Sequence, residues 1–211
     1  MLTEEKEDYL KIIYYHKGKD HFVSNKIIAN ALSIKPPSVS EMMTRLEKEA
    51  LVEIKPYKGV KLTQQGMKEV VRLLKRHRLI ECFLIESLKY NWDEVHAEAE
   101  VLEHKVSDMF IERLDEMLGY PEYCPHGAKI PRDEHIEEFT DSILELNERQ
   151  TFTLKQVEDE AALLKYLSEH HVKVSDTLTI TKKDESNKIL YIQKDNDEFV
   201  LSYENASKLY Y

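Results

Sequence analysis

The spacing of apolar residues predicts three helices and a hairpin in the first third of the chain. Helical periodicity covers 4–17, 25–32 and 36–50. The stretch 51–63 then alternates apolar and polar residues around Pro56-Tyr57-Lys58-Gly59, which is typical of two short strands joined by a turn. Helix, helix-turn-helix and hairpin, in that order, indicate a winged helix-turn-helix.

The middle of the chain predicts helices and its end predicts a small β domain. Thr63 can cap a helix that runs to about Lys89, and Asp93 can cap another over 94–118. After a loop rich in proline, helical spacing returns at 132–141. The remaining pattern is that of a small barrel with one inserted helix: strands within 150–157, 177–183, 188–193 and 199–202, and a helix over 159–169.

These elements predict a mainly α fold with a small β C-terminal domain. We expect three domains, over 1–63, 64–141 and 142–211.

Apolar residues make up 42% of the chain, but no apolar run approaches the ~18 to 20 residues that span a bilayer. The acidic start has no signal-peptide pattern, so we expect a cytoplasmic protein without a membrane partner. The two cysteines are too few for a disulfide framework.

The distribution of charge separates the first third from the rest. The whole chain has a net charge of −10, but residues 1–78 carry +6 and residues 79–211 carry −16. A basic module joined to an acidic one suggests that the first meets phosphate and the second meets cations or protein.

The third helix has the chemistry of a DNA recognition helix. Its start offers short hydroxylated side chains that can reach phosphates or base edges, and basic residues surround it. Tyr57 and Lys58 at the turn of the hairpin can touch the sugar-phosphate backbone. The alternative is that Ser38 and Ser40 only satisfy backbone groups at the helix start. The predicted DNA-binding residues are Lys35, Pro37, Ser38, Ser40, Glu41, Arg45, Lys48, Tyr57 and Lys58.

A second set of residues predicts a metal site on the two long helices. His96, Glu100, Glu103 and His104 lie on or beside one helical face at ~100° per residue, and His77 and Glu81 repeat the spacing of one turn. Carboxylates with imidazoles and no thiolate suit Mn²⁺ or Fe²⁺ better than Cu(I) or structural Zn²⁺. The alternative is a solvated face of Glu and His.

A third candidate is the pair Cys124 and His126 in the proline-rich loop. A lone Cys-x-His pair is more often structural than metal-binding. It gains meaning only if Glu81 and an acid from the run Glu158-Asp159-Glu160 lie nearby.

Together these residues resemble the family of metal-dependent repressors typified by the diphtheria toxin repressor, in its three-domain, manganese-sensing (MntR-like) branch. The resemblance covers nearly the whole chain and implies a helical dimerisation domain and an SH3-like (FeoA-type) C-terminal barrel. Its motifs are Glu7-Asp8-Tyr9-Leu10, Ile13-Tyr14, Pro37-Ser38-Val39-Ser40, Arg76-His77-Arg78-Leu79-Ile80-Glu81, Val95-His96, Glu98-Ala99-Glu100 and Leu102-Glu103-His104.

The resemblance implies two metal sites. The primary site would comprise Asp8, His77, Glu100, Glu103 and His104. The second site would comprise Glu81, Cys124, His126 and one of Glu158, Asp159 and Glu160, with His96 a weaker candidate because it matches an ancillary site of the iron sensors.

Two details of the match bear on the metal. Iron-sensing relatives have Met at position 8 and Cys at position 100, so Asp8 and Glu100 favour Mn²⁺. Lys11 replaces a glutamate of the short manganese sensors, which argues against their two-metal cluster.

The resemblance implies a non-enzymatic function. We expect a homodimer in which Mn²⁺ acts as corepressor, ties Asp8 to the dimerisation domain and sets two recognition helices about one DNA turn apart on a palindromic operator. The controlled genes would be those of manganese uptake. The alternatives are an iron-responsive repressor with Fe²⁺, a winged-helix regulator with a structural metal, and a carboxylate-bridged metalloenzyme.

Overall fold

The computed structural model describes residues 2–133, 136 and 139–211, and these form two compact units. The first unit contains the described residues of Met1–Arg76 and Pro131–Ile136. The second contains those of His77–Ile130 and Glu137–Tyr211. None of the helices among the described residues is both long and apolar enough to cross a membrane.

The first unit is a winged helix-turn-helix, as predicted. Its core contains the apolar faces of three helices and a hairpin, including Val39, Met42, Met43 and Leu46 on the inner side of the third helix, and Val70 and Leu74 of the next helix complete it. Two prolines at the start of that helix fix φ at positions where no hydrogen-bonding N–H is required. The elements are α1 Glu4–Tyr15, α2 Asn25–Ala31, α3 Pro36–Lys48, β1 Val52–Lys55 and β2 Gly59–Leu62.

Helix α4, Gln64–Glu86, begins in the first unit and continues into the second. The Thr63 hydroxyl accepts the Gly66 N–H at 3.0 Å, which confirms the predicted N-cap. The helix ends three residues earlier than predicted.

The single helix predicted over 94–118 is wrong. The chain forms α5, Val95–Leu102, and α6, Asp108–Met117. The break occurs because the Ser107 hydroxyl accepts the Phe110 N–H at 3.2 Å and caps a new helix. The N-cap of α5 is Glu94, and not Asp93 as predicted.

The C-terminal part of the second unit is a small β domain with its own core. Its sheets have the orders β3-β5-β6-β7 and β4-β8, all antiparallel. The predicted run 150–157 is therefore two strands in different sheets, and β8 was not predicted. The elements are β3 Thr151–Thr153, β4 Gln156–Val157, α7 Ala161–Glu169, β5 Thr177–Asp184, β6 Ile189–Lys194, β7 Asp197–Ser202, α8 Tyr203–Ala206 and β8 Leu209–Tyr210.

The helix predicted over 132–141 is only partly testable. Residues 134, 135, 137 and 138 lie outside the described part of the chain, and the described residues of this stretch are not helical. A short 3₁₀ turn, Ile143–Glu145, follows it.

Gly59 allows the backbone of the hairpin to approach the backbone of Val23 closely. Its φ is +111°, and a Cβ there would lie 2.0 Å from the Val23 carbonyl oxygen. Val23 also forms backbone hydrogen bonds with Val60 in the hairpin. We expect Gly59→Ala to destabilise the protein by more than the ~1–3 kcal/mol typical of a strained backbone alone. Urea unfolding followed by circular dichroism measures this.

The matched control is Gly119→Ala, because Gly119 also has a positive φ, +73°, but a Cβ there would meet nothing within 4 Å. It should lose only the ~1–2 kcal/mol of a left-handed residue. Equal losses in both variants would contradict a steric role for the Val23 carbonyl.

Candidate metal centre and DNA-binding surface

Helix α4 places two ionisable side chains on one buried face. His77 and Glu81 are one turn apart, and their exposed fractions are 1% and 0%. His77 Nε2 lies 3.0 Å from Glu81 Oε1. A fully buried carboxylate needs compensation by hydrogen bonds or positive charge, and this imidazole is the first group that supplies it.

Helix α5 and the turn after it bring further donors to the other side of His77. Glu103 and His104 follow the end of α5, but the Glu103 N–H still donates to the Ala99 carbonyl at 2.9 Å, so the helical spacing continues through Glu103 and the turn positions His104. His77 Nδ1 lies 2.5 Å from Glu103 Oε2 and 3.7 Å from Glu100 Oε1, and His104 Nε2 lies 3.4 Å from Glu103 Oε1. We call His77, Glu100, Glu103 and His104 the first cluster.

A tight turn presents Cys124 and His126 to Glu81. The turn is closed by bonds from the Cys124 N–H to the Ala128 carbonyl and from the Gly127 N–H to the Cys124 carbonyl, both 2.9 Å. One donor atom each from Glu81, Cys124 and His126 lie within 4.8 Å of one another. Both loop side chains are buried.

Asp159, which follows β4, reaches the same place. His126 Nδ1 lies 2.8 Å from Asp159 Oδ1 and 3.2 Å from Glu81 Oε1. His96 Nδ1 lies 3.6 Å from Glu81 Oε1 and 3.9 Å from Asp159 Oδ2. We call Glu81, His96, Cys124, His126 and Asp159 the second cluster.

The two acids beside Asp159 have other partners. Glu158 accepts the Tyr210 hydroxyl at 2.7 Å, and Glu160 accepts the Lys208 ammonium with both carboxylate oxygens, at 2.7 and 2.8 Å. Of the three acids between which the sequence could not choose, Asp159 is the one that faces the cluster.

The buried charges shift the pKa values of the second cluster. Burial alone would raise the pKa of Glu81, but His77 and His126 outweigh it and hold that pKa well below its usual range. Burial alone would lower the pKa of His126, but the carboxylates of Asp159 and Glu81 raise it instead. Burial and then the charge of Glu81 raise the pKa of the Cys124 thiol to about 11.

The second cluster has the features of a cation site. Three of its buried atoms, Glu81 Oε2, His126 Nδ1 and Asp159 Oδ1, form no hydrogen bond with the described residues. His126 Nδ1 and Asp159 Oδ1 are 2.8 Å apart, which is close enough for charge attraction, but they lack hydrogen-bond geometry. Donors that share an octahedral ion at ~2.1 Å lie roughly 3 Å apart. The observed distances between His126 Nδ1 and the two carboxylates fit that spacing.

The first cluster offers mainly hard donors. Two carboxylates and two imidazoles converge, and Glu103 is fully buried while the Glu100 side chain is 37% exposed. Oxygen and imidazole donors without a thiol suit Mn²⁺ and Fe²⁺. Asp8, the remaining predicted member of this site, lies on α1 of the first unit, so the second unit by itself does not contain it.

The predicted DNA-binding residues are all exposed. On α3 the side of the helix opposite its core-facing residues carries Glu41, Arg45 and Lys48, with Glu41 Oε1 2.5 Å from Arg45 Nη2. Tyr57 and Lys58 lie at the turn of the hairpin, where Tyr57 has a φ of +64° and is fully exposed. The nine residues are Lys35, Pro37, Ser38, Ser40, Glu41, Arg45, Lys48, Tyr57 and Lys58.

The Ser40 hydroxyl has partners within the protein. It donates to the Pro36 carbonyl at 3.2 Å and accepts from Asn25 Nδ2 at 3.0 Å. The structural alternative raised for the serines therefore has direct support at Ser40.

Sequence reasoning missed Trp92 as a member of this centre. Its carbonyl accepts a hydrogen bond from His126 Nε2 at 2.9 Å, and its ring centroid lies 5.3 Å from that of His126. Trp92 is the sole tryptophan of the chain, but a single aromatic residue before a helix gives no pattern that periodicity could detect.

Three family models together match most of the chain. Residues 1–60 match the N-terminal DNA-binding domain of iron-dependent repressors, 63–132 match their metal-binding and dimerisation domain, and 142–210 match the FeoA domain. The HTH-type transcriptional regulator MntR of Oceanobacillus iheyensis is 34% identical over 120 residues, which cover 57% of this chain and 81% of that protein.

Solved structures extend the similarity to nearly the full length. The manganese regulator SloR is 42% identical, with a TM-score of 0.82 over 97% of this chain and 96% of that one. ScaR with bound Zn²⁺ is 39% identical, with a TM-score of 0.87 over 97% of both chains. This chain therefore belongs to the diphtheria toxin repressor (DtxR/MntR) family of metal-dependent transcriptional regulators.

Proposed function

We propose that this chain is a manganese-dependent DNA-binding transcriptional repressor. As a homodimer with Mn²⁺ bound, it would recognise palindromic operators of manganese-uptake genes in the cytoplasm. The observation that carries the proposal is the convergence of carboxylates and imidazoles on His77 in the segment that matches a metal-binding and dimerisation domain. We assign DNA binding to 1–63, metal binding and dimerisation to 64–141, and the SH3-like domain to 142–211.

The primary metal site is proposed as the first cluster completed by Asp8. Hard oxygen donors dominate this set, which favours Mn²⁺ over softer ions. The contribution of Asp8 rests on the family motif at residues 7–10. When bound, Mn²⁺ would supply the positive charge that lets these carboxylates approach one another.

The second metal site is proposed as Glu81, Cys124, His126 and Asp159, with His96 beside it. Three buried atoms of this cluster form no hydrogen bond with any residue that the structure describes, and this supports the assignment, as does their spacing. Because Glu158 and Glu160 are engaged by Tyr210 and Lys208, Asp159 is the acid that we assign.

An apolar surface on α6 supports the homodimer. Met109, Phe110 and Met117 are 72%, 45% and 59% exposed on a helix of ten residues. Large apolar side chains grouped on a surface are typical of protein interfaces. A second copy of the chain is the proposed occupant, since this segment matches a dimerisation domain.

Fe²⁺ is the second candidate corepressor. The Cys124 thiol in the second cluster is a softer donor than any in the first, and thiolate favours metals other than Mn²⁺. Operator binding titrated separately with Mn²⁺, Fe²⁺ and Zn²⁺ distinguishes these repressors. A metalloenzyme is the weaker alternative, because the family consists of regulators.

The first cluster should control DNA binding. With a labelled duplex selected from a random library, we expect fluorescence anisotropy to give a gain in affinity in buffered Mn²⁺ over chelator within the ~5- to 150-fold range of allosteric coupling. Glu103→Gln should abolish that gain, because it removes a buried carboxylate charge. Glu169→Gln, on the exposed end of α7, is the control and should behave as wild type. Operator binding that ignores Mn²⁺ would contradict the corepressor role.

The second cluster should release protons when it binds a cation. The raised pKa values of His126 and Cys124 keep the imidazole and the thiol protonated at pH 7, so a metal that uses their Nδ1 and Sγ must displace both protons. Affinity should therefore rise with pH, up to about 100-fold per unit for two protons.

Calorimetry of Zn²⁺ binding in buffers of different ionisation enthalpy measures this release. We expect about two protons per ion at the second cluster, and one fewer for Cys124→Ser. A heat that does not depend on the buffer would contradict the assignment of these two ligands.

The exposed face of α3 should divide into base-reading and phosphate-binding residues. Lys48→Ala should weaken binding to all sequences and reduce the salt slope by about 0.9 per lost phosphate contact. Glu41→Gln should instead relax the base preference, since a glutamate on a DNA-facing helix repels phosphate but can accept from a cytosine amino group, worth about 1–3 kcal/mol. Selection from a random library at two salt concentrations measures both; an unchanged preference in Glu41→Gln would show that Glu41 does not read a base.

A further inference from the structure

Trp92 connects the metal-binding loop to the C-terminal domain. Its indole N–H donates to the Pro125 carbonyl at 3.0 Å, and its own carbonyl accepts the His126 Nε2–H at 2.9 Å. The indole also packs against the apolar core of the C-terminal domain, which includes Leu154 and Val157. Trp92 therefore forms hydrogen bonds with two consecutive residues of the loop, Pro125 and His126.

The bond to Trp92 fixes the orientation of the His126 ring. Because Nε2 donates to the Trp92 carbonyl, Nδ1 is the nitrogen directed at Glu81 and Asp159. A hydrogen bond at the distal nitrogen is the usual means by which proteins orient a metal-binding histidine. The hydrogen bond to the Trp92 carbonyl thus holds the ring in an orientation suited to metal coordination.

The same loop bonds to β4, the strand that precedes Asp159. The Val157 N–H donates to the His126 carbonyl at 2.9 Å. At Gly127, with φ +87°, a Cβ would lie 1.8 Å from the Lys155 carbonyl oxygen, so only glycine allows the loop this close to β4. Asp159 follows Val157 by two residues, so this backbone contact fixes the position of its carboxylate relative to His126.

We propose that Trp92 is a positioning residue that couples docking of the C-terminal domain to divalent-cation affinity at the second cluster. The inference rests on the second metal site of the proposed function. The indole orders the loop against the C-terminal core, and the loop orients the His126 ring. The contact between the loop and β4 places Asp159 beside that ring. Loss of the indole N–H therefore weakens cation binding at the second cluster.

The test uses the full-length protein and Co²⁺ alone. Co²⁺ bound to a thiolate absorbs in the near ultraviolet through charge transfer, so this band reports on Cys124 and hence on the second cluster alone. We expect the wild type to show the band and Cys124→Ser to lack it. Trp92→Phe, which keeps an aromatic ring and removes the donor, should weaken Co²⁺ binding read from the band by about tenfold or more.

The matched control is Tyr166→Phe. The substitution removes a hydroxyl that donates to the Val200 carbonyl at 2.7 Å. The Tyr166 ring, like the Trp92 indole, packs on the C-terminal core, but Tyr166 lies far along the chain from the loop. Thermal unfolding in chelator compares the stability of the two variants without metal. A second variant, in which benzothienylalanine replaces Trp92, keeps the ring size and removes only the N–H.

A readout besides affinity separates positioning from general stability. Hydrogen exchange at the Val157 amide should slow when Co²⁺ binds the wild type, because the cation stabilises the docked strand. This slowing should be lost in Trp92→Phe and retained in Tyr166→Phe.

The outcomes distinguish the inference from the proposed function. Equal Co²⁺ affinity and equal Val157 protection in wild type and both Trp92 variants, with the band present, would overturn the role of Trp92 alone. An equal loss of affinity in Tyr166→Phe would also overturn it, since the effect would then follow stability. Absence of the band in the wild type would overturn the second-site assignment and the inference with it.

Discussion

The second unit is organised around the carboxylate of Glu81, which is fully buried. An isolated ionised carboxylate in an apolar interior costs several kcal/mol, so its neighbours must compensate the charge. His77 lies one turn away on the same helix, while His96 and His126 reach the same oxygen from α5 and from the loop. Each surrounding element therefore contributes a group that Glu81 requires, and α4, α5 and the loop are held together by electrostatics as well as by apolar packing.

His77 links the two clusters because its ring has two nitrogens with different partners. Nδ1 faces Glu103 and Nε2 faces Glu81, at 2.5 and 3.0 Å. The ring cannot rotate to improve one contact without losing the other. The clusters are consequently two halves of one buried network, and a residue that periodicity would assign to a single helical stripe belongs to both.

Local patterns predicted those parts of the structure that local forces determine. The winged helix-turn-helix followed from apolar spacing, and the α4 cap from one threonine. The break after α5 was missed because the apolar spacing continues across Ser107, and only the cap hydrogen bond shows where a new helix begins. The choice of Asp159 was out of reach because it depends on Tyr210 and Lys208, some fifty positions away, occupying its two neighbours. Trp92 has no local pattern at all, since its role lies in contacts with Pro125 and His126.

The short loop from Cys124 to Ala128 explains why the C-terminal domain is attached to the centre. By itself the loop supplies a thiol and an imidazole but no carboxylate, and the buried His126 ring would lack a negative partner beyond Glu81. The close approach that Gly127 allows brings β4 alongside, and with it Asp159. Charge balance inside the helical part of the unit thus depends on a residue of the β domain. A domain that provides a largely buried counter-charge cannot separate from its neighbour without leaving the buried His126 ring without that charge, so its docking is an electrostatic requirement of the centre itself.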